Sequence, residues 1–191
     1  MNLSSSLSRI LLGVALAVSA QAALAQQQLV PAQSEVQFTA RQMGVPLEGH
    51  FKKFSAQVAF DPAKLATSKM NFTVDTGSAT LGSRETDAEL PKPAWFNVPK
   101  FPQAQFESSA IKALGAGKFE VAGKLTIKGN AQNVVVPVTL TQSGSTTTAT
   151  GTLPIKRLAF KIGENEWADT SMVADDVTVK FKLALTGVGK L

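Results

Sequence analysis

The chain has 191 residues, enough for one domain with a substantial core. Charged residues make up 17%, below the roughly 25% of typical soluble proteins, and the formal charge is +5. There is no cysteine, which excludes disulfides, thiolate metal sites and cysteine nucleophiles. The aromatic residues are eleven Phe and two Trp with no Tyr. A Phe-rich interior with few polar handles suits either a solid apolar core or an apolar ligand.

The N-terminus has the three-part plan of a secretory signal peptide. A polar start carries Arg9, a short apolar run covers residues 10–20, and Ala23-Leu24-Ala25 precedes Gln26 as a cleavage site. The apolar run is shorter than the roughly 20 residues a membrane-spanning helix requires. The expectation is a cleaved signal over residues 1–25 and a mature domain over 26–191. In a Gram-negative source the compartment is the periplasm.

The mature chain is dominated by period-two alternation, the mark of strands with one buried face. Val36, Phe38 and Ala40 alternate with polar neighbours until Gly44 and Pro46 interrupt. The next stretch gives two strand pieces, the second placing Phe54, Ala56, Val58 and Phe60 on one face before Asp61-Pro62 stops it. Phe51 and Phe54 differ in parity, so both face inward only if the chain bulges at Lys52-Lys53. Met70, Phe72 and Val74 form a returning strand.

Residues 82–102 break the pattern. Ser83 is an N-cap candidate for a short helix over residues 83–90, and Glu85 and Asp87 sit where the helix dipole favours negative charge. Pro91 and Pro93 end it, and Trp95, Phe96, Val98 and Phe101 follow as a proline-broken apolar segment that folds over something rather than joining a sheet. The remaining strands place Phe106, then Phe119, Val121, Gly123, Leu125 and Ile127, then Val134, Val136, Val138 and Leu140 on single faces. Thr147, Ala149, Gly151, Leu153 and Ile155 follow, and Leu158, Phe160 and Ile162 continue the inward row. Residues 163–175 read as a polar loop holding Trp167, and Val177, Val179, Phe181, Leu183 and Leu185 close the chain. Eight to nine strands with short turns and one helical excursion imply an all-β antiparallel barrel, a closure that removes sheet edges and leaves room for side chains or one small ligand.

Three stretches, in order, resemble the YceI-like family, the polyisoprenoid-binding, lipocalin-like proteins of the bacterial periplasm. They are Gly49-His50-Phe51-Lys52-Lys53-Phe54 through Phe60-Asp61-Pro62, the segment from Trp95-Phe96-Asn97-Val98-Pro99 to Phe106-Glu107-Ser108, and Gly123-Lys124-Leu125-Thr126-Ile127-Lys128-Gly129 with Val135-Val136-Pro137-Val138. The chain departs from the family at Arg84-Glu85-Thr86-Asp87-Ala88-Glu89-Leu90, which lacks the histidine of an R-D-x-H-L pattern, and at Ala131-Gln132-Asn133, which lacks the Thr-Lys. These departures bear on head-group contacts rather than on the fold. The resemblance implies an eight-stranded antiparallel, lipocalin-like barrel holding an isoprenoid chain, either a polyprenyl carrier or a quinone tail.

Each buried methylene contributes about 0.8 kcal/mol, so a five-carbon isoprene unit contributes on the order of 4 kcal/mol before association costs. No polar catalyst or cofactor is required. The candidate lining is Phe38, Phe51, Phe54, Phe60, Phe72, Phe106, Leu125, Phe160 and Phe181, with Trp95, Phe96 and Phe101 at the mouth. His50, the sole histidine, shares a face with Glu48 and Lys52 and points to solvent; a metal site with H-E-x-x-H spacing and a G-x-S-x-G elbow are both absent. Lys52, Lys124, Lys128, Lys180 and Lys182 fall on outward faces. The pI ≈ 9.6 permits weak attraction to anionic lipid surfaces and so a transient membrane-surface contact. Nucleic-acid binding is not expected of an exported chain without a basic, aromatic patch. The primary reading is a non-catalytic binding or carrier protein. An envelope enzyme using the same cavity, a stress-response module delivering quinone to a membrane redox partner, and a homodimer stay open.

Overall fold

The computed structural model describes residues 27–191; the signal-peptide expectation for residues 1–25 falls outside them. Within that range the alternating runs become strands: β1 (Gln28–Leu29), β2 (Glu35–Gln42), β3 (Val45–Phe51), β4 (Phe54–Ala59), β5 (Lys69–Asp75), β6 (Ala79–Thr80), β7 (Gln103–Gly115), β8 (Lys118–Ile127), β9 (Asn130–Ser143), β10 (Thr146–Lys156) and β11 (Asp176–Thr186). The one α-helix among the described residues, α1, spans Arg84–Glu89. Ser83 stands at its N-cap with extended backbone, but its side chain caps nothing.

The strands form one strongly curled antiparallel sheet in the order β4-β5-β7-β8-β9-β10-β11-β2-β3-β6, with β1 added on β11. The two-residue strands β1 and β6 raise the count to eleven; without them nine remain, the upper figure expected from the alternation and one more than the family resemblance implies.

The sheet edges are joined without a ladder. Near the cap, Lys52 N donates to Ser78 O (3.2 Å), Lys53 N donates to Ser78 Oγ (3.0 Å), and Asp75 N donates to Lys53 O (3.0 Å). At the far end the Gln27 side-chain amide stands in for a strand, accepting from Phe60 N (2.9 Å) and donating to Phe60 O (2.6 Å). The chain therefore breaks at Lys52-Lys53, and Phe51 and Phe54 belong to different strands. A second irregularity lies in β7, where the register against β8 shifts between Ser108 and Ala110. That extra residue lets Phe106 and Ile111, an odd number apart, both face the interior.

One end of the barrel is capped by residues 81–102 and 157–175. Leu90, Phe96, Ile127, Ile155, Phe160 and Ile162 pack there as a buried cluster. Two cations hold the cap. The Arg157 guanidinium, 2% exposed, donates to five carbonyls: Ala174 from Nε, Ile162 and Gly163 from Nη1, and Trp167 and Val173 from Nη2, at 2.6–3.0 Å. Lys128 Nζ donates to Pro93 O (2.6 Å), Lys161 O (2.7 Å) and Glu164 Oε2 (2.7 Å), tying the two cap segments together. Lys128 is thus buried rather than outward. It lies past the end of β8 with φ +49°, where strand parity no longer applies. Residues 157–160 form a 3₁₀ turn rather than more strand, because Asp175 captures Leu158 N and Arg157 reaches back to the turn that follows.

Candidate functional site

The curled sheet encloses an apolar cavity of about 360 Å³, within the roughly 300–1,000 Å³ typical of small-molecule sites. A Phe-rich interior would ordinarily pack solid. Here three inward positions that would carry side chains are glycines, and a phenylalanine ring occupies the space a Cβ would take at each. A Cβ on Gly49 would stand 2.3 Å from Phe38 Cζ, one on Gly151 would stand 2.3 Å from Phe181 Cζ, and one on Gly123 would stand 2.6 Å from Phe106 Cζ. Gly49 is directly opposite Phe38 in the β2–β3 ladder, and Gly151 is directly opposite Phe181 in the β10–β11 ladder. The rings therefore fold back onto the wall, and the lumen between them stays open.

Nine of the twelve residues singled out from sequence line this cavity: Phe38, Phe51, Phe60, Phe72, Trp95, Phe96, Phe106, Leu125 and Phe181. Phe60 and Phe119 meet edge to face at 5.4 Å, at the end that Gln27 closes. Phe51 bridges to Phe38 at 5.3 Å and to Phe96 of the cap at 6.0 Å. Phe54, Phe101 and Phe160 lie elsewhere. Phe54 stacks on Phe72 at the seam beside β2, outside the lumen. Phe101 covers Gly129 in the β8–β9 turn. Phe160, 2% exposed, fills the cap core.

Sequence alternation missed Trp167 and Arg157. Trp167 sits in a loop without a period, yet its ring meets Trp95 at 5.4 Å and both line the cavity. Both tryptophans of the chain therefore stand at the capped end of the lumen. The Trp95 indole N–H is buried with no acceptor among the described residues. Arg157 gives no periodic signal, because its role is to gather carbonyls that only the folded loop brings together.

Apart from the Trp95 indole N–H, the charged groups near the lumen are held by neighbours. Asp87 accepts from Thr80 Oγ1 and from Leu81 N (2.7 Å), and these bonds hold its carboxyl below the usual carboxylate range. Glu89 pairs with Lys92. Burial pushes the Arg157 guanidinium down from its ordinary value. The Lys128 hydrogen bond holds the Glu164 carboxyl below its ordinary value. His50 is exposed on the outer face, paired in register with Gln37 and Thr80. Among the described residues no three His, Asp or Glu side chains gather as a metal site. The arrangement offers an apolar chain a wall of rings and aliphatic side chains.

Known proteins share this architecture. The crystal structure of BcnA from Burkholderia cenocepacia superposes with a TM-score of 0.79 at 51% identity, covering 82% of this chain and 98% of that one. A polyisoprenoid binding domain from Saccharophagus degradans shares the fold, with a TM-score of 0.69 at 13% identity over 84% of this chain and 98% of that one. A UPF0312 protein of Yersinia pestis (strain Pestoides F) is 34% identical over 111 residues, 58% of this chain and 57% of its own length. The chain thus spans little more than half the length of that relative. A family model described as the YceI-like domain matches residues 27–185, and the chain belongs to that family.

Proposed function

We propose that this protein is a non-catalytic binding or carrier protein that holds an isoprenoid lipid, a polyprenyl chain or a quinone tail, inside its barrel. The observation that carries this reading is the hollow apolar lumen kept open by rings lying over glycines. A branched hydrocarbon chain needs length and apolar contact and no fixed polar partner, and the lumen offers that. Two to four buried isoprene units suffice for useful affinity at about 0.8 kcal/mol per methylene, after association costs. The polyisoprenoid binding of the Saccharophagus degradans domain agrees with this reading. Residues 1–25 act as a cleaved export signal and the mature chain works in the periplasm, which N-terminal sequencing of protein from a periplasmic extract tests.

The two tryptophans supply the binding assay. Because Trp95 and Trp167 both line the lumen, titration with farnesol changes intrinsic fluorescence saturably, and Trp95→Phe and Trp167→Phe each remove part of the signal. Organic extraction of protein purified from its own host yields an isoprenoid. Flat fluorescence with farnesol and with longer polyprenols, together with ligand-free protein from the host, would overturn the proposal.

A further inference from the structure

Six large apolar side chains are markedly exposed among the described residues, and three of them share one place. Met43 (71% exposed) and Val45 (62%) form the tip of the β2–β3 hairpin, and Met172 (41%) lies beside them. Met43 N donates to Met172 O at 2.8 Å, so the hairpin and the 169–173 loop are joined at this point. The other three, Leu114, Val135 and Leu191, are scattered over the end of β7, the outer face of β9 and the C-terminus.

The hairpin ladder relates this tip to the cavity. Ala40 pairs with Leu47 and Gln42 pairs with Val45, and directly opposed residues share a face. Ala40, Leu47 and Gln42 all line the lumen, as does Val173 next to Met172. Val45 is therefore the next position on the inner face, carried past the rim into solvent. The inner face thus leads from Ala40, Leu47 and Val173, past Gln42, to Met43, Val45 and Met172 at the rim.

We propose that this lip docks on the surface of a lipid bilayer, so that the cavity takes up its chain directly from the apolar phase; the uptake step rests on the reading of the lumen given above. Three side chains are far too few for a stable protein interface, which needs roughly 20–30 residues a side. Unbranched methionines adapt to an irregular, fluid partner. An isoprenoid chain that meets the lip never has to cross water. The charges at this end include Arg41, Lys156 and the buried Arg157 against Asp169, Asp175 and Asp176, with Lys156 ion-paired to Asp176 at 2.7 Å, so the contact carries no excess of positive charge. Docking therefore works by apolar insertion and not by attraction to anionic lipid, in spite of the basic pI.

The test uses phosphatidylcholine vesicles with and without farnesol, and the variant Met43→Ser/Val45→Thr/Met172→Ser, whose changes are all at exposed positions. The wild type floats with these vesicles, also at ~0.5 M salt where surface charge is screened, and takes up farnesol from them as read by tryptophan fluorescence. In the variant flotation is lost and the uptake rate falls about tenfold, while affinity for farnesol added from dilute solution is unchanged. Uptake at the wild-type rate in the variant would overturn the proposal. So would flotation that requires anionic lipid and vanishes in salt, or a dimer that the variant abolishes without any change in flotation. A wild type that floats through these residues yet binds no farnesol from solution retains the docking surface and removes the lumen reading instead.

Discussion

Substituting Gly151→Ala tests the hollow-barrel reasoning at a single atom. The new Cβ would lie 2.3 Å from Phe181 Cζ and 2.7 Å from Phe181 Cε1, where carbon atoms favour about 3.5–4.0 Å. The ring must retreat by more than about 1 Å, and the lumen it lines offers the space. The same Cβ would also lie 2.6 Å from Pro137 O, a backbone atom of the neighbouring strand. Two penalties follow, one from the ring and one from the strand. Overpacking of this kind costs about 1–3 kcal/mol, which at this chain length lowers Tm by about 2–4 °C per kcal/mol. The lumen narrows at the same time, so farnesol affinity falls. Phe181→Leu removes the ring and separates the two penalties. In that background Gly151→Ala loses the part due to the ring and keeps the part due to Pro137. Urea unfolding of the four proteins in a double-mutant cycle gives a coupling above about 0.5 kcal/mol, and the double variant recovers affinity lost by Gly151→Ala alone. Additive stabilities, with farnesol binding unaffected by Gly151→Ala, would refute the account of glycines as the seats of the rings.

The cap makes two further predictions. Arg157→Met leaves the carbonyls of Ile162, Gly163, Trp167, Val173 and Ala174 without their buried donor, and costs about 3 kcal/mol or more in urea unfolding. Arg157→Lys restores only part, because one ammonium cannot meet five acceptors spread over a fork. Glu164 is held below its ordinary 4.5 by the hydrogen bond from Lys128. A carboxyl depressed in the folded state contributes its full share above the unfolded value. That share is lost as pH falls through 4.5 and on through the lower folded value. The stability difference between the wild type and Glu164→Gln therefore narrows from about pH 6 to about pH 3, and a difference that stays constant over that range would refute the pairing.

Most of the wall was legible because the property that builds it is local. Alternation in Phe119-Glu120-Val121-Ala122-Gly123-Lys124-Leu125 places every second side chain on one face, and β8 takes up that face against β9 without a slip. Parity fails where the backbone leaves the sheet. Lys128 continues the outward row on paper, but the chain has already turned to positive φ, and the ammonium swings under the cap to three oxygens. Leu158, Phe160 and Ile162 alternate as a strand would, but Arg157 and Asp175 draw that segment into a 3₁₀ turn through contacts distant in sequence. Trp167 stands among Glu164, Glu166 and Asp169, where nothing in composition marks an inward ring. The glycines at 123 and 151 were legible as inward positions, whereas their use as seats for Phe106 and Phe181 depends on cross-strand register.

The open lumen has an energetic consequence. At about 24 cal/mol per Å³, an empty cavity of about 360 Å³ costs on the order of 9 kcal/mol relative to a filled one, an upper figure because the cavity is not fully sealed from solvent. That is comparable to the whole stability of a typical domain, about 5–15 kcal/mol. A protein that merely needed a core would gain stability by letting Phe38, Phe106 and Phe181 collapse inward. Glycines at 49, 123 and 151 instead hold the rings at the wall, and a cap fastened by two buried cations closes one end. These features oppose collapse, so a chain that occupies the space would recover part of that cost. Stability and occupancy are therefore linked: a chain that fills the lumen raises Tm with its concentration, and protein stripped by organic extraction melts below the protein as purified from its host.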